Sequence, residues 1–375
     1  MKHNISRKKV MVISKVRRPC LLALAAILAL AAAPVPAKVI EKPDSYLQTN
    51  LVSDLAGVAQ LQDTSLVNAW GISFNPTGPF WISDNGSGLS TLYAVTNDAD
   101  GVYHVAKQGL EVAIPGEGSV TGQVFNNTPD FNGDPFIFAS EDGTISGWRS
   151  ALGSAAEILV SRPGTVYKGI TLVTNAGPPL LLAANFSAGT IDVYDTNLNL
   201  TTYADPRAPE GYAPFNIQVI RDFIFVTFAK QDEEGEDDVP GDGHGFIDLF
   251  SPRTGRFHRF ATGSDAGGRL DAINSPWGVA LAPRGFGRHG DRLLVGNFGS
   301  GTIMVFNAGG HFEGFLQGPD NQPIVINGLW GLTFGNDGRA GVSDALYFTA
   351  GPNGEADGLF GSIVPAPAMN KHHKY

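Results

Sequence analysis

Four asparagines stand just before or within short apolar runs: Asn68, Asn216, Asn274 and Asn327. Tyr167 holds the similar place in another run. Side-chain oxygens gathered around one point could hold Ca²⁺, which takes about six to eight oxygen ligands. No carboxylate accompanies these asparagines in the sequence, and neutral amides alone bind calcium poorly. Each Asn could instead cap its own turn. The second carrier of chemistry is the acidic run Asp232, Glu233, Glu234, Glu236, Asp237 and Asp238. Its carboxylates repel one another unless a cation or basic partner is present. The run reads either as a divalent-cation site, with Ca²⁺ the first candidate, or as a solvated loop.

A third set, Asp84, Glu141, Asn185, Lys230 and Asn297, occupies turn positions, where such residues commonly satisfy local amides. Asp130-Phe131-Asn132-Gly133-Asp134 alternates oxygen donors like a calcium loop but lacks the later bidentate Glu. The histidines are His3, His104, His244, His258, His289, His311, His372 and His373, and none lies in the first apolar run of a repeat unit. The sequence contains no Gly-x-Ser-x-Gly elbow, no His-Glu-x-x-His and no phosphate loop.

The elements that must position these residues are repeated. Ala69-Trp70-Gly71-Ile72, Pro276-Trp277-Gly278-Val279 and Leu329-Trp330-Gly331-Leu332 are three copies of one phrase. Weaker copies fill the gap: Val120-Thr121-Gly122-Gln123, Tyr167-Lys168-Gly169-Ile170 and Pro214-Phe215-Asn216-Ile217. Aligned on the marker position, these make units at Gly71, Gly122, Gly169, Asn216, Gly278 and Gly331. Each first run is followed by a second apolar run, a Gly- and Asn-rich turn, and a third alternating run. Short β-branched and aromatic runs between such turns are strands and hairpins. Most units have a fourth, more polar run, such as Leu110–Ile114, Ala156–Val160, Arg256–Phe260 and Phe312–Phe315; the last has no room for one. An orphan run at Asn50–Asp54 precedes the first unit and would complete the sixth.

A recurring unit of this length marks an array. The predicted fold is all-β: a six-bladed β-propeller of four-stranded blades, the sixth closed by the N-terminal strand. The first run of each unit would line the channel, with the indole packed between neighbouring blades. A seventh blade could hide only between Asn216 and Gly278, where the acidic run reads instead as an insertion.

Composition bounds the setting. Glycine makes up 47 of 375 residues, about one in eight, in keeping with many tight turns. Residues 1–37 carry seven basic residues and no acidic one, then the apolar run Leu21–Ala33 and the small-residue site Val35-Pro36-Ala37. That order reads as a secretory signal peptide cleaved after Ala37. The apolar run is shorter than the roughly 20 residues that span a bilayer. Cleavage removes the single cysteine, Cys20, and seven basic charges, taking the net charge from −10 to −17. Disulfides and thiolate chemistry are thereby excluded from the mature chain, and nucleic acid and anionic membranes are poor partners. Residues 38–49 read as a linker, 50–364 as the propeller and 365–375 as a disordered polar tail. No further segment is long and apolar enough to span a membrane.

The repeat resembles the NHL class of propellers. The fuller phrases Asn50-Leu51-Val52-Ser53-Asp54-Leu55, Ala139-Ser140-Glu141-Asp142-Gly143-Thr144-Ile145-Ser146-Gly147-Trp148 and Phe228-Ala229-Lys230-Gln231-Asp232 resemble an uncharacterised family of exported bacterial propellers. Some members of that family end in a PEP-CTERM sorting tail, whereas this chain ends Met369-Asn370-Lys371-His372-His373-Lys374-Tyr375, without an apolar anchor. The resemblance implies fold and export and supplies no reaction. Propeller ligands bind where inner strands begin. The expectation is therefore a secreted or periplasmic, monomeric binding module for a protein, glycan or small ligand, with Asn68, Tyr167, Asn216, Asn274 and Asn327 near the ligand. The competing reading is a metal-dependent hydrolase or lyase of the lactonase kind, whose propellers use Glu, Asn and Asp around an axial metal. Whether any catalysis occurs is left open by the residues.

Overall fold

The computed structural model describes residues 44–98, 102–175 and 177–367. All belong to one compact unit, 41–375. The expected signal peptide, residues 1–37, and the tail from residue 368 onward lie outside the described residues.

Six β-sheets follow one another along the chain, each an antiparallel meander. Their first strands are Ala69–Ser73, Val120–Phe125, Tyr167–Val173, Tyr212–Ile220, Pro276–Leu281 and Leu329–Phe334. These six contact one another in cyclic order, the last touching the first, so they form the inner wall of a six-bladed propeller. Strand Tyr46–Ser53 pairs antiparallel with Leu359–Pro365 on the outer side of the sixth blade. The pairing starts at Tyr46, so the final residues of the expected linker are sheet. A two-residue strand, Leu61–Gln62, runs parallel beside it. In the first blade the outer strand is Tyr103–Ala113, longer than the run Leu110–Ile114 anticipated.

The marker glycines have a steric cause. Every inner strand breaks register with its neighbour near that position. A Cβ on Gly71 would lie 2.6 Å from the Thr121 carbonyl oxygen of the next blade. One on Gly122 would lie 2.8 Å from the Ile170 amide nitrogen. Blades this close exclude a side chain, which is why glycine recurs near the axis. The fourth blade has Asn216 at the marker position, and its Nδ2 donates across the seam to the Trp277 carbonyl at 2.9 Å. What remains along the axis is a cavity of about 20 Å³ lined by Gly71, Gly122, Gln123, Asn216, Gly278 and Gly331. A volume of roughly 10–15 Å³ or more admits a water, so one fits.

The indoles differ from the expectation. They meet one another on the axis rather than wedging between blades. Trp70 and Trp330 stack with ring centroids 3.6 Å apart, and Trp277 stands edge-on to both. Phe298 stacks on the far side of Trp330 at 3.9 Å. Phe186 and Phe215 join the same buried cluster. Aromatic rings supply a large apolar area with few rotors, and offset and edge contacts suit their quadrupoles. The result is a plug rather than an open channel.

Candidate functional site at one mouth of the channel

The start of each inner strand and the turn after each second strand emerge on the same face. There the plug is rimmed by a continuous polar chain. Glu355, in the turn Gly351–Gly358 of the sixth blade, accepts from Asn68 Nδ2 at 2.7 Å. The same Nδ2 reaches Asn85 Oδ1 at 3.2 Å. Asn85 Nδ2 donates to Glu141 Oε2 at 3.0 Å, and Lys168 Nζ donates to Glu141 Oε1 at 2.5 Å. Lys168 also reaches Asp237 of the acidic loop at 3.0 Å. The chain thus runs from the sixth blade through the first, second and third to the fourth. Asn68 ties it to the plug by accepting from Trp330 Nε1 at 3.1 Å.

Lys168 is the centre of this arrangement. Its side chain is 1% exposed. Its ammonium lies 5.2 Å from the Trp70 ring centroid and 5.7 Å from that of Phe186, within the range of cation–π attraction. The reason is legible in the repeat: aligned on the marker, Lys168 stands where three other units have tryptophan. Its side chain therefore enters the plug from the third blade. Burial alone would lower the lysine pKa, but Glu141 and Asp237 outweigh it and raise the value. Lys168 is held as an ammonium, so it is neither nucleophile nor base at neutral pH.

The acidic loop is folded rather than free. Asp232 N–H donates to the Asp237 carbonyl at 2.8 Å, and Val239 N–H to the Lys230 carbonyl at 2.8 Å. Asp232 Oδ1 accepts from Glu236 N–H at 2.9 Å. Gln231 Nε2 anchors the loop to the Phe186 carbonyl at 2.8 Å. Glu233, Glu234 and Glu236 face solvent; Asp237 is also exposed, at 74% of its side chain, but reaches Lys168, and Asp238 is the more buried of the two. Burial pushes the Asp238 carboxyl up to about 6; the Ser275 hydroxyl beside it and the Lys168 charge oppose this, and repulsion from Glu355 and Asp237 adds to it. Burial likewise raises Glu355, partly offset by Asn68 and reinforced by Glu141.

The anticipated asparagines part company. Only Asn68 joins the rim. Asn216 is spent on the blade seam, Asn274 Oδ1 accepts from Gly241 N–H at 2.8 Å, and Asn327 Oδ1 accepts from Asn353 N–H at 3.1 Å. Tyr167 is wholly buried inside the third blade, its hydroxyl 2.7 Å from both Asp192 and the Tyr194 hydroxyl. Measured from the marker, Asn68 stands three residues before it, Tyr167 two, Asn274 and Asn327 four, and Asn216 is the marker itself; successive residues of a strand point to opposite faces, so these side chains do not converge.

Of the turn residues, Glu141 alone enters the rim. Asn185 bonds Asp192, Lys230 bonds Asp265 and Asn297 bonds the Ala272 carbonyl. Asp84 is fully buried in the first blade, and burial holds its carboxyl well above the usual range. The segment from Asp130 to Asp134 is a short 3₁₀ turn whose Asp134 pairs with Arg149 at 2.7 Å, a structural role. His289 stacks with Tyr46 at the molecule's periphery and His244 bonds the Val239 carbonyl, so neither stands on the axis.

Glu355 and Asn85 went unnoticed in the sequence. Glu355 sits in a turn with no local signature, and its partner Asn68 is 287 residues away. Among the described residues, no group of three or more His, Cys, Asp and Glu side chains is arranged to hold a metal. The carboxylates missing from the asparagine set are supplied by loops of the second, fourth and sixth blades, with a lysine ammonium among them. This arrangement can recognise polar and charged groups over an aromatic floor.

No protein-family model matches the chain. Two uncharacterised proteins of Acanthamoeba polyphaga mimivirus are similar to it: one is 27% identical over 338 residues, covering 84% of both chains. The other is 29% identical over 336 residues, covering 84% of this chain and 78% of the viral one. Among solved structures, an auxiliary nutrient binding protein from Bacteroides ovatus superposes with a TM-score of 0.53 at 13% identity, covering 86% of this chain and 77% of that one. Virginiamycin B lyase from Staphylococcus aureus superposes with a TM-score of 0.50 at 13% identity, covering 85% of this chain and 99% of the lyase. At such identities the likeness is one of fold: this chain is a six-bladed β-propeller.

Proposed function

We propose that the chain is an exported ligand-binding module, monomeric and resembling the NHL-like exported bacterial propellers, whose binding site is the rimmed mouth at the start of the inner strands. The observation that carries this reading is the convergence of Glu355, Asn68, Asn85, Glu141, Lys168 and Asp237 from five blades over one aromatic floor. A plug needed only for stability gains nothing from a buried lysine and a chain of amides and carboxylates around it. Burying such groups costs free energy unless all are paired. The basic, then apolar, then small-residue order of residues 1–37 supports export.

The fold neighbours include a binding protein and a lyase, and the fold alone does not choose between them. The hydrolase or lyase reading keeps one favourable observation, the 2.7 Å contact of Asn68 with Glu355. It fits less well because the remaining asparagines are engaged elsewhere and the ammonium of Lys168 stands among the carboxylates.

The test is thermal unfolding of the purified chain with butylammonium, glucosamine, glucose, acetate or Ca²⁺. Binding to the native state raises Tm as concentration exceeds the dissociation constant. The expected result is that at least one probe raises Tm in the wild type and loses that effect in Glu355→Gln. If no probe shifts Tm, or every shift survives Glu355→Gln and Asn68→Ala, the mouth is not the binding site.

A further inference from the structure

The fourth blade carries a second buried charged cluster, which shares no hydrogen bond with the rim. Asp248 lies on its third strand, Phe246–Ser251, opposite Arg259 on its outermost strand, Arg256–Thr262. Asp205 lies on the connection that leaves the outermost strand of the third blade, Leu200–Tyr203, for the fourth. Arg259 joins the two carboxylates: Nε donates to Asp248 Oδ1 at 2.6 Å and Nη2 to Asp205 Oδ2 at 2.9 Å. Both Asp side chains are 0% exposed. The guanidinium carbon stands 3.7 Å from the Phe246 ring centroid, a stack that holds the cation in place.

As two carboxylates, this cluster is one donor short. The second oxygen of Asp248, Oδ2, is buried and accepts no hydrogen bond. Arg207 bonds Asp205, Nε to Oδ1 at 3.4 Å, but its side chain is half exposed and water screens its charge. The strand beside Asp248, Phe223–Lys230, sets Val226 opposite it, and its one titratable side chain, Lys230, is spent on Asp265 at 2.8 Å. His258, next to Arg259, is exposed on the opposite face of the outermost strand. What Asp248 faces besides Arg259 is the Asp205 carboxylate. A carboxylate only accepts, whereas a protonated carboxyl also donates, so one proton supplies the missing bond. Burial pushes the Asp248 carboxyl up to about 7; the Arg259 charge opposes this and Asp205 adds to it. Burial works against ionised Asp205, but bonds from Asp248, the Arg207 amide and Arg259 outweigh it and hold that carboxyl below the usual range.

We propose that Asp205 and Asp248 hold one proton between them, Asp248 donating to the Asp205 carboxylate, and that this proton is a pH-sensitive latch between the third-to-fourth blade connection and the outer strands of the fourth blade. Loss of the proton to water leaves two adjacent buried anions on one guanidinium, an arrangement that like-charge repulsion and burial both disfavour. The closed latch holds the proton more tightly than an opened one, in which Asp248 returns to its ordinary 3.8. The latch is therefore strongest below that value, weakens as pH rises and reaches its floor above 7.

The experiment is carbon-13 NMR of the aspartate carboxyls of the purified chain, with native-state hydrogen exchange of Arg256–Thr262, from about pH 5 to pH 9. One carboxyl signal, assigned by its loss in Asp248→Asn, should titrate near 7. Asp248→Asn imitates the protonated state, since its amide can donate to Asp205 while its oxygen accepts from Arg259. The opening equilibrium of Arg256–Thr262 in the wild type, divided by that in Asp248→Asn, should rise about tenfold per pH unit up to 7 and level off above it. Asp205→Asn should move the Asp248 midpoint down by at least one pH unit. Circular dichroism checks that both variants are folded; should Asp248→Asn fail, the wild-type titration and Asp205→Asn decide.

The latch is overturned if no carboxyl titrates above about pH 5.5 at Asp248, if the ratio of opening equilibria is flat with pH, or if Asp205→Asn leaves the Asp248 midpoint unmoved. None of these residues takes part in the rim, so that outcome would leave the binding-module reading standing.

Discussion

Two halves of the axis solve the same packing problem differently. Blades five, six and one place tryptophan at the position before the marker glycine, and the three indoles fill the centre mainly by shape, with Trp330 Nε1 tied to Asn68 and Thr349 Oγ1 to the Trp70 carbonyl. Each of these inner strands is entered through a left-handed residue, Ser275, Gly328 or Asn68. Blades two, three and four place Thr121, Lys168 and Phe215 at that position. Their seams rely on directed bonds: Thr121 Oγ1 to the Tyr167 carbonyl at 2.9 Å, Gln123 Nε2 to the Gly71 carbonyl at 2.8 Å, and Asn216 Nδ2 to the Trp277 carbonyl. Apolar contact is non-directional and tolerates exchange, whereas a buried donor or charge demands a partner. The half built from directed groups is where the acidic loop attaches and where Lys168 organises the mouth. One half closes the ring with aromatic packing; the other carries the charged rim on which the proposed binding role rests.

The comparison can be broken most severely at its centre. Trp330→Ala should cost about 4 kcal/mol, in the range of large aromatic truncations, because Trp330 is 1% exposed and stacks on both Trp70 and Phe298. Urea unfolding measures it; a loss below about 1 kcal/mol would mean the plug does not hold the ring.

Next comes Lys168→Ala, expected to cost about 3 kcal/mol by emptying a buried place in the plug and leaving the half-buried Glu141 without its cation; Asp237 is 74% exposed and adds little. Combining it with Glu141→Gln should recover part of that loss, and a double-mutant cycle reads the coupling. Strict additivity would show that the ion pair does not link the second and third blades.

An effect of at most the same size, and confined to high pH, follows from Asp238. Its folded-state pKa of about 6 lies above the ordinary 3.8, so the folded protein holds this proton more tightly than the unfolded chain. The resulting penalty is absent below the ordinary value, grows as pH rises, and is complete above 6. Asp238→Asn should therefore match the wild type near pH 4 and exceed it in stability at pH 8, by up to about 3 kcal/mol. Denaturation curves at the two pH values decide it, and an equal offset at both would mean that Asp238 ionises normally.

Least disruptive is Asn216→Ala, expected to cost about 1 kcal/mol by removing one seam hydrogen bond. If Asn216→Gly, which restores the marker of the other blades, is as stable as the wild type, shape can replace the directed bond at that seam.

Much of the fold was legible because it is periodic. The inner strand Val120–Phe125 and the outer strand Phe312–Phe315 lie where the runs place them. The segment that resists the strand pattern, from Asp232 to Asp238, is a loop. The site was legible only in fragments. Asp237, Asp238, Asn68 and Glu141 all drew attention, but in three separate sets and for other reasons. Lys168 stood at a tryptophan position of the repeat, a signal visible in the alignment that gains meaning only when the plug is seen. Glu355 had no signal at all.

Local chemistry dictates strands, turns and the close approach of blades, since alternation, positive φ and the absence of a Cβ act within a few residues. From these alone the chain's architecture as a six-unit β array could be derived. Which polar groups meet could not, because ring closure decides it. Asn68 and Glu355 lie at opposite ends of the propeller sequence and 2.7 Å apart in space. Only the closed tertiary structure turns a lysine in the third blade and carboxylates from the second, fourth and sixth into one charged rim.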